Sequence, residues 1–173
     1  MSRIQLRALT KADINKTLVW HNEPIIKEMY SSHPFPVNRE MEERWYDTIL
    51  YSNFPTTVLG IEHQIDNILI GIVLLRNIHQ LHRHCEFAIY LGDKNYKGQG
   101  LSKEATCAAL AFAFDQLGLQ RVYLQVLEHN QIAIKLYQKL GFKQEGILRQ
   151  SVYKDGQFRN ELMMSMLKEE FNV

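Results

Sequence analysis

The 173-residue chain has only two cysteines and four prolines, and its twenty Lys and Arg residues outnumber its nineteen Asp and Glu by one. Cys85 and Cys107 have no Cys-x-x-Cys or Cys/His finger spacing, which argues against a disulfide scaffold or structural zinc and for buried thiols in a reducing compartment. A net charge of +1 creates no field to attract nucleic acid or an anionic membrane, so any anionic ligand has to be held locally. No stretch approaches the roughly 18 apolar residues of a membrane span, and Met1-Ser-Arg-Ile-Gln-Leu-Arg7 lacks the apolar core of a signal peptide. The expectation is a cytoplasmic protein. Repeats, low-complexity tracts and Gly/Ser/Pro linkers are also missing, and the prolines (Pro24, Pro34, Pro36, Pro55) all fall in the first third. With 46% hydrophobic residues, residues 1–173 read as a single domain.

What is present is an ordered series of elements. Ile4 to Leu9 alternates like a strand, and Thr10-Lys-Ala-Asp13 has capping-box spacing for a helix toward Trp20. Pro24 interrupts that helix and starts a short second one. After the Pro34-Phe35-Pro36 turn, Asn38 caps a helix with Met41, Trp45, Tyr46 and Ile49 on one face, ending near Ser52. Thr56 to His63, Ile68 to Arg76 and His84 to Leu91 form an antiparallel meander. A helix from Leu101 to Leu117 ends at Gly118, a strand spans Arg121 to Leu127, and a helix from Asn130 to Leu140 carries Ala133, Leu136, Tyr137 and Leu140 on one stripe. Asp155-Gly156 marks a closing hairpin.

The chemistry concentrates in two places. Lys97-Gly98-Gln99-Gly100-Leu101-Ser102 follows a buried strand and opens a helix. Its glycines let backbone N–H groups approach phosphate oxygens, and the helix dipole adds about half a positive charge. The GxGxxG of a dinucleotide fold is incomplete, and without Gly-Lys-Ser/Thr a P-loop is excluded. The second place is Asn130-Gln-Ile-Ala133-Ile-Lys-Leu-Tyr137-Gln-Lys-Leu-Gly-Phe142, one helix and one strand later.

With these two segments the chain resembles the GNAT N-acetyltransferases, whose first motif reads Arg/Gln-x-x-Gly-x-Gly/Ala and whose second reads Asn-x-x-Ala-x-x-x-Tyr before Leu-Gly-Phe. Lys97 and Ser102 depart mildly from the first pattern. The resemblance implies an α/β fold with a mixed, mostly antiparallel sheet, a splayed central strand pair and helices on both faces. It also implies acetyl-CoA as acetyl donor, with its pyrophosphate on the amides of Gly98 to Ser102, its pantetheine arm along Ile89, Tyr90 and Leu91, and Asn130 and Ala133 beside it. Tyr137 is implied as the acid that protonates the departing thiolate; taken without the resemblance, it reads as a core aromatic on the apolar stripe. Freeing the lone pair of an amine with pKa near 10 costs roughly 4 kcal/mol at neutral pH, and Glu86 is the candidate acceptor of that proton, directly or through water. Its alternative is an ion pair with Arg83 or another cation. His79, His82 and His84 make a metal-like run, with the last two spaced for one strand face. No acidic or Cys ligand completes the set, so no metal is expected. Met163, Met164 and Met166 suggest core or a dimer surface.

Trp20-His21-Asn22, Glu43-Arg44-Trp45, His82-Arg83-x-x-Glu86-Phe87 and Tyr153-x-Asp-Gly156-Gln-Phe158-Arg159-Asn160 most resemble the ribosomal-protein alanine acetyltransferase group, with similarity to spermidine and amino-sugar acetyltransferases. The acceptor this resemblance implies is an amine of a small molecule or a protein N-terminus. A polyamine would use carboxylates among Glu28, Glu40, Glu42, Glu43 and Glu86, whereas a nucleotide-sugar diphosphate would use Arg76, Arg83 and Arg159. A non-catalytic acyl-CoA-binding module is the alternative from another class. Neither nucleic acid nor membrane is an expected partner, and a homodimer is suggested by similar proteins.

Overall fold

The computed structural model describes residues 2–29, 35–50 and 56–172. The expected turn at Pro34 and helix end at Ser52 fall outside them. Strand β1 (Ile4–Arg7) leads through a one-turn helix into α1 (Ile14–Asn22), and α2 (Pro24–Met29) and α3 (Arg39–Leu50) follow. β1 stops two residues before the expected Leu9, because the Thr10 hydroxyl and N–H both donate to the Asp13 carboxylate and begin the turn early. Asn38 caps α3 by accepting from the Met41 N–H at 2.9 Å. On that helix Tyr46 is buried and Met41 is exposed, so the apolar face is narrower than its spacing suggests.

The meander is β2 (Thr57–His63), β3 (Ile68–His79) and β4 (His84–Leu91), followed by α4 (Leu101–Ala111), β5 (Arg121–Leu127), α5 (Gln131–Leu140), β6 (Lys143–Lys154) and β7 (Gln157–Leu167). The sheet order is β1-β2-β3-β4-β5-β7-β6, antiparallel except for the parallel β4–β5 pair. The expected continuation of α4 to Leu117 is instead a wide π-type turn over Phe112–Gln116, in which Leu117 N–H donates to Phe112 O at 3.1 Å. The turn is tolerated because Lys168 Nζ donates to Phe114 O, while the Phe114 ring and Leu119 both stay in the core.

One face of the sheet packs Phe87, Ile89 and Leu91 against α4 and α5 with Leu101, Leu110, Phe114 and Tyr137; the opposite face packs Tyr90 and Ile72 against α1 and α3 with Trp20 and Tyr46. Strand alternation divides β4 between these layers. Cys85 is buried, and burial, reinforced by Glu86, pushes its thiol up to about 12; Cys107 is only half-buried, contrary to expectation. Met164 and Met166 are core residues. His82 lies in the β3–β4 turn and not on a strand, and its ring stacks on those of His79 and His84. Among the described residues no helix is long and apolar enough to cross a membrane.

Candidate active site

The parallel β4–β5 pair is also where the sheet opens. The two strands are paired over His84–Glu86 and Arg121–Tyr123, and among the described residues the ladder goes no further. Beyond that point the strands part around a cavity of about 620 Å³, walled by Phe87–Tyr90 on one side and Gln125–Leu127 on the other. Parallel strands joined by a crossover helix diverge readily, because no hairpin holds their ends together. The expected splay after Glu86 is therefore present.

From the α5 side the cavity receives Asn130, Ala133 and Tyr137. Asn130 caps α5 by accepting from Ala133 N–H at 3.2 Å, which leaves its amide nitrogen as the donor for a ligand. Tyr137 is 7% exposed, with its ring edge-on to Phe87 at 6.3 Å and tilted on Phe142 at 5.5 Å. Burial pushes its phenol well above the ordinary value, so the hydroxyl remains a proton donor throughout the neutral range. Ile134, which lies outside the stripe expected from spacing, is also buried.

The glycine turn lies beyond the C-terminal end of β4, at the start of α4. Gly98 and Gly100 have φ of +76° and +80°, and a Cβ at Gly98 would meet nothing within 4 Å. Glycine is required there by the backbone and not by crowding, and the open space above it admits a phosphate. Leu101 and Ser102 supply first-turn N–H groups that have no partner within their own helix, while the Leu101 side chain anchors the turn in the core. Gln99 donates to Asn95 O and accepts from Arg3, Lys97 is exposed, and Leu91 is buried against the α4 layer. These features fit a phosphopantetheine ligand entering along the splay. Replacing Gly100 with Ala should weaken acetyl-CoA binding about tenfold in calorimetry, the equivalent of one misplaced hydrogen bond. The strained φ should also cost roughly 1 kcal/mol of stability.

The opposite wall comes from α1, α2 and α3, and the sequence alone points to little of it: His21, Ile26, Met41, Glu42, Trp45 and, from β3, Leu74 and Arg76. In the sequence Glu42 is one of several carboxylates, and Arg76 one of several cations. Glu86 faces the cavity with its carboxylate accepting from Arg76 Nη2 at 2.5 Å and from Asn77 Nδ2 at 2.9 Å. Arg76 is its cross-strand partner, and a β-bulge after Arg76 turns Asn77 toward it; the ion pair is thus with Arg76, and Arg83 sits in the turn. Glu42 is 1% exposed, accepts from His21 Nδ1 at 2.7 Å, and its second oxygen is buried with no hydrogen-bond partner among the described residues. His21 Nε2 lies 3.0 Å from the Tyr90 hydroxyl. No sequence spacing links positions 21, 42 and 90, so the cluster could not be found before folding.

Comparison with known proteins agrees with this geometry. Residues 3–143 match the family model of the acetyltransferase (GNAT) domain. The spermidine N(1)-acetyltransferase of Escherichia coli K12 is 28% identical over 97% of this chain and 88% of its own length, and that of Vibrio cholerae is 29% identical over 98% and 96%. The crystal structure of the Vibrio cholerae spermidine N-acetyltransferase in complex with CoA and spermine superposes with a TM-score of 0.92 at 27% identity, covering 99% of both chains. Fold, splay and glycine turn thus have one explanation: the chain belongs to the GNAT acetyltransferase family and is an acetyl-CoA-dependent N-acetyltransferase acting on an amine.

Proposed function

We propose that the acceptor is a polyamine of the spermidine type, acetylated on a primary amine by direct transfer. The observation that carries this reading is the acidity of the acceptor wall, where a buried Glu42 oxygen has no partner among the described residues. A buried carboxylate without a cation is costly, and an incoming ammonium offsets that cost. Glu86 adds a second carboxylate, already shared with Arg76 and Asn77, so it contributes less than Glu42. Glu86 and Tyr90 stand four residues apart on one strand face, roughly 13 Å at the usual rise, so an extended polyamine can place separate ammonium groups near each end. Trp45, Met41 and Leu74 supply apolar wall for the methylene segments. The amino-sugar alternative fits less well. Of Arg76, Arg83 and Arg159, only Arg76 lines the cavity among the described residues, and it is tied to Glu86. The similarity to spermidine acetyltransferases over nearly the full chain points the same way.

When bound, acetyl-CoA supplies the activated acetyl thioester. In this reading the Gly98 to Ser102 amides hold its pyrophosphate and Asn130 orients its pantetheine. A strand amide near Ile89 polarises the carbonyl, and Tyr137 delivers a proton to the departing sulfur. Glu86 attracts the acceptor ammonium and, through water, is one candidate for its proton.

The test is thiol release from acetyl-CoA with spermidine, spermine, an alanine-terminated peptide and a nucleotide amino sugar as acceptors. The polyamines should show the highest kcat/KM, and turnover confined to the peptide or the sugar would overturn the reading. Glu42→Gln should raise KM for spermidine about tenfold, the worth of one charge-assisted contact, with KM for acetyl-CoA unchanged.

A further inference from the structure

We propose that Tyr90, His21 and Glu42 form the chain that takes the proton from the acceptor amine, with the Tyr90 hydroxyl as the group that meets the substrate. The inference rests on the reading of this cavity as the amine site, although not on which amine occupies it.

The three side chains come from three elements, β4, α1 and α3, and all line the cavity. An ionised Glu42 can only accept, so the 2.7 Å contact makes His21 Nδ1 the protonated nitrogen. Nε2 is then the acceptor, and the Tyr90 hydroxyl donates to it across 3.0 Å. This is the arrangement of an activated hydroxyl: an O–H aimed at a base, and the base oriented by a carboxylate. Trp45 stands edge-on to the imidazole at 4.9 Å and helps to fix its plane. Tyr90 follows Ile89 directly, placing its hydroxyl chain on the acceptor face of the strand whose opposite face abuts the Tyr137 layer. One residue step therefore separates the thioester side from the amine side.

The proton balance is simple. The ammonium N–H bond breaks and a new Tyr90 Oη–H bond forms, while the original Tyr90 O–H bond breaks and a His21 Nε2–H bond forms. The electron pair left on nitrogen attacks the acetyl carbonyl. As the tetrahedral adduct collapses, the C–S bond breaks and the thiolate takes the Tyr137 proton; the nitrogen, still one proton in excess of the amide, gives that proton up to restore the Tyr137 phenol, directly or through solvent, and His21 returns its own to solvent. Throughout, one positive charge stays beside Glu42, first on the ammonium and then on the imidazolium. This accounts for a carboxylate that is 1% exposed and has no arginine or lysine partner among the described residues. The other charged or titratable groups lining the cavity among the described residues are Glu86 on β4, Arg76 on β3 and Tyr137 on α5. Glu86 is engaged through both oxygens by Arg76 and Asn77, whereas the His21 lone pair is aimed at a transferable proton.

The test compares Tyr90→Phe, His21→Gln and Glu86→Gln with wild type, using whichever amine proves best in the acceptor screen. All are assayed from neutral pH to the ammonium range near pH 10. Thermal unfolding with and without acetyl-CoA confirms that each variant folds and binds. Tyr90→Phe and His21→Gln should each lower kcat/KM about 10²-fold at neutral pH. The deficit should shrink steadily as alkaline pH frees the amine without help. The double variant should lose no more than the worse single one, as expected for groups acting in series. Equal losses at every pH would mean that the cluster only shapes the cavity and would overturn the proposal. So would a normal profile in both variants with the alkaline rescue appearing in Glu86→Gln. A wild type that prefers a peptide over spermidine would sink the polyamine reading and leave this test intact.

Discussion

Replacing Tyr137 with Phe is expected to lower kcat by about 10³-fold while leaving acetyl-CoA affinity unchanged. The substitution removes one oxygen and keeps the ring, so its packing against Phe87 and Phe142 and the stability of α5 are retained. In the proposed mechanism, what is lost is the proton for the departing thiolate. Burial holds the phenol above its ordinary value, so a fall in rate from its ionisation belongs above the usual phenol range near pH 10, well clear of any acceptor-side limb. Stopped-flow turnover with calorimetric acetyl-CoA binding separates the two effects. An unchanged kcat would remove Tyr137 from the reaction and make it the core aromatic that its burial alone would suggest.

The second large effect is on stability. Gly92 follows β4, and a Cβ built there would lie 2.0, 2.3 and 2.4 Å from Cδ2, Cε2 and Cγ of the buried Trp20. Trp20 cannot yield easily, because its ring meets Tyr90 edge-on at 6.2 Å within the α1–α3 layer. Gly92→Ala should therefore cost about 3 kcal/mol, which for a domain of this size lowers the melting temperature by about 10 °C. If the cause is this overlap, adding Trp20→Leu should cost much less in the Gly92→Ala background than in wild type, and strict additivity would refute it. Activity gives a second readout. Trp20 precedes His21 on α1, so a displaced ring moves the imidazole away from Tyr90, and the residual activity of Gly92→Ala should fall further than the population of folded protein explains.

Much of this protein was determined by local sequence. Thr10 and Asp13 form their capping box, Asn130 and Gly141 bound α5, and Asp155-Gly156 closes the last hairpin with both residues at positive φ. Each depends on neighbours within a few residues, where sequence and structure are nearly the same information. The candidate cofactor half of the proposed site was legible for that reason: Lys97 to Ser102 is one turn, and Asn130 to Tyr137 is one helix. The proposed acceptor half was decided only by tertiary structure. His21, Glu42 and Tyr90 meet because α1 and α3 pack on one face of β4, and Arg76 reaches Glu86 through the β3–β4 register and not through any spacing along the chain. A buried charge acquires its meaning from the groups around it. Glu42 is one of several acidic residues on an amphipathic segment until folding seals it against His21 in the wall of the cavity, with its remaining oxygen unpartnered among the described residues.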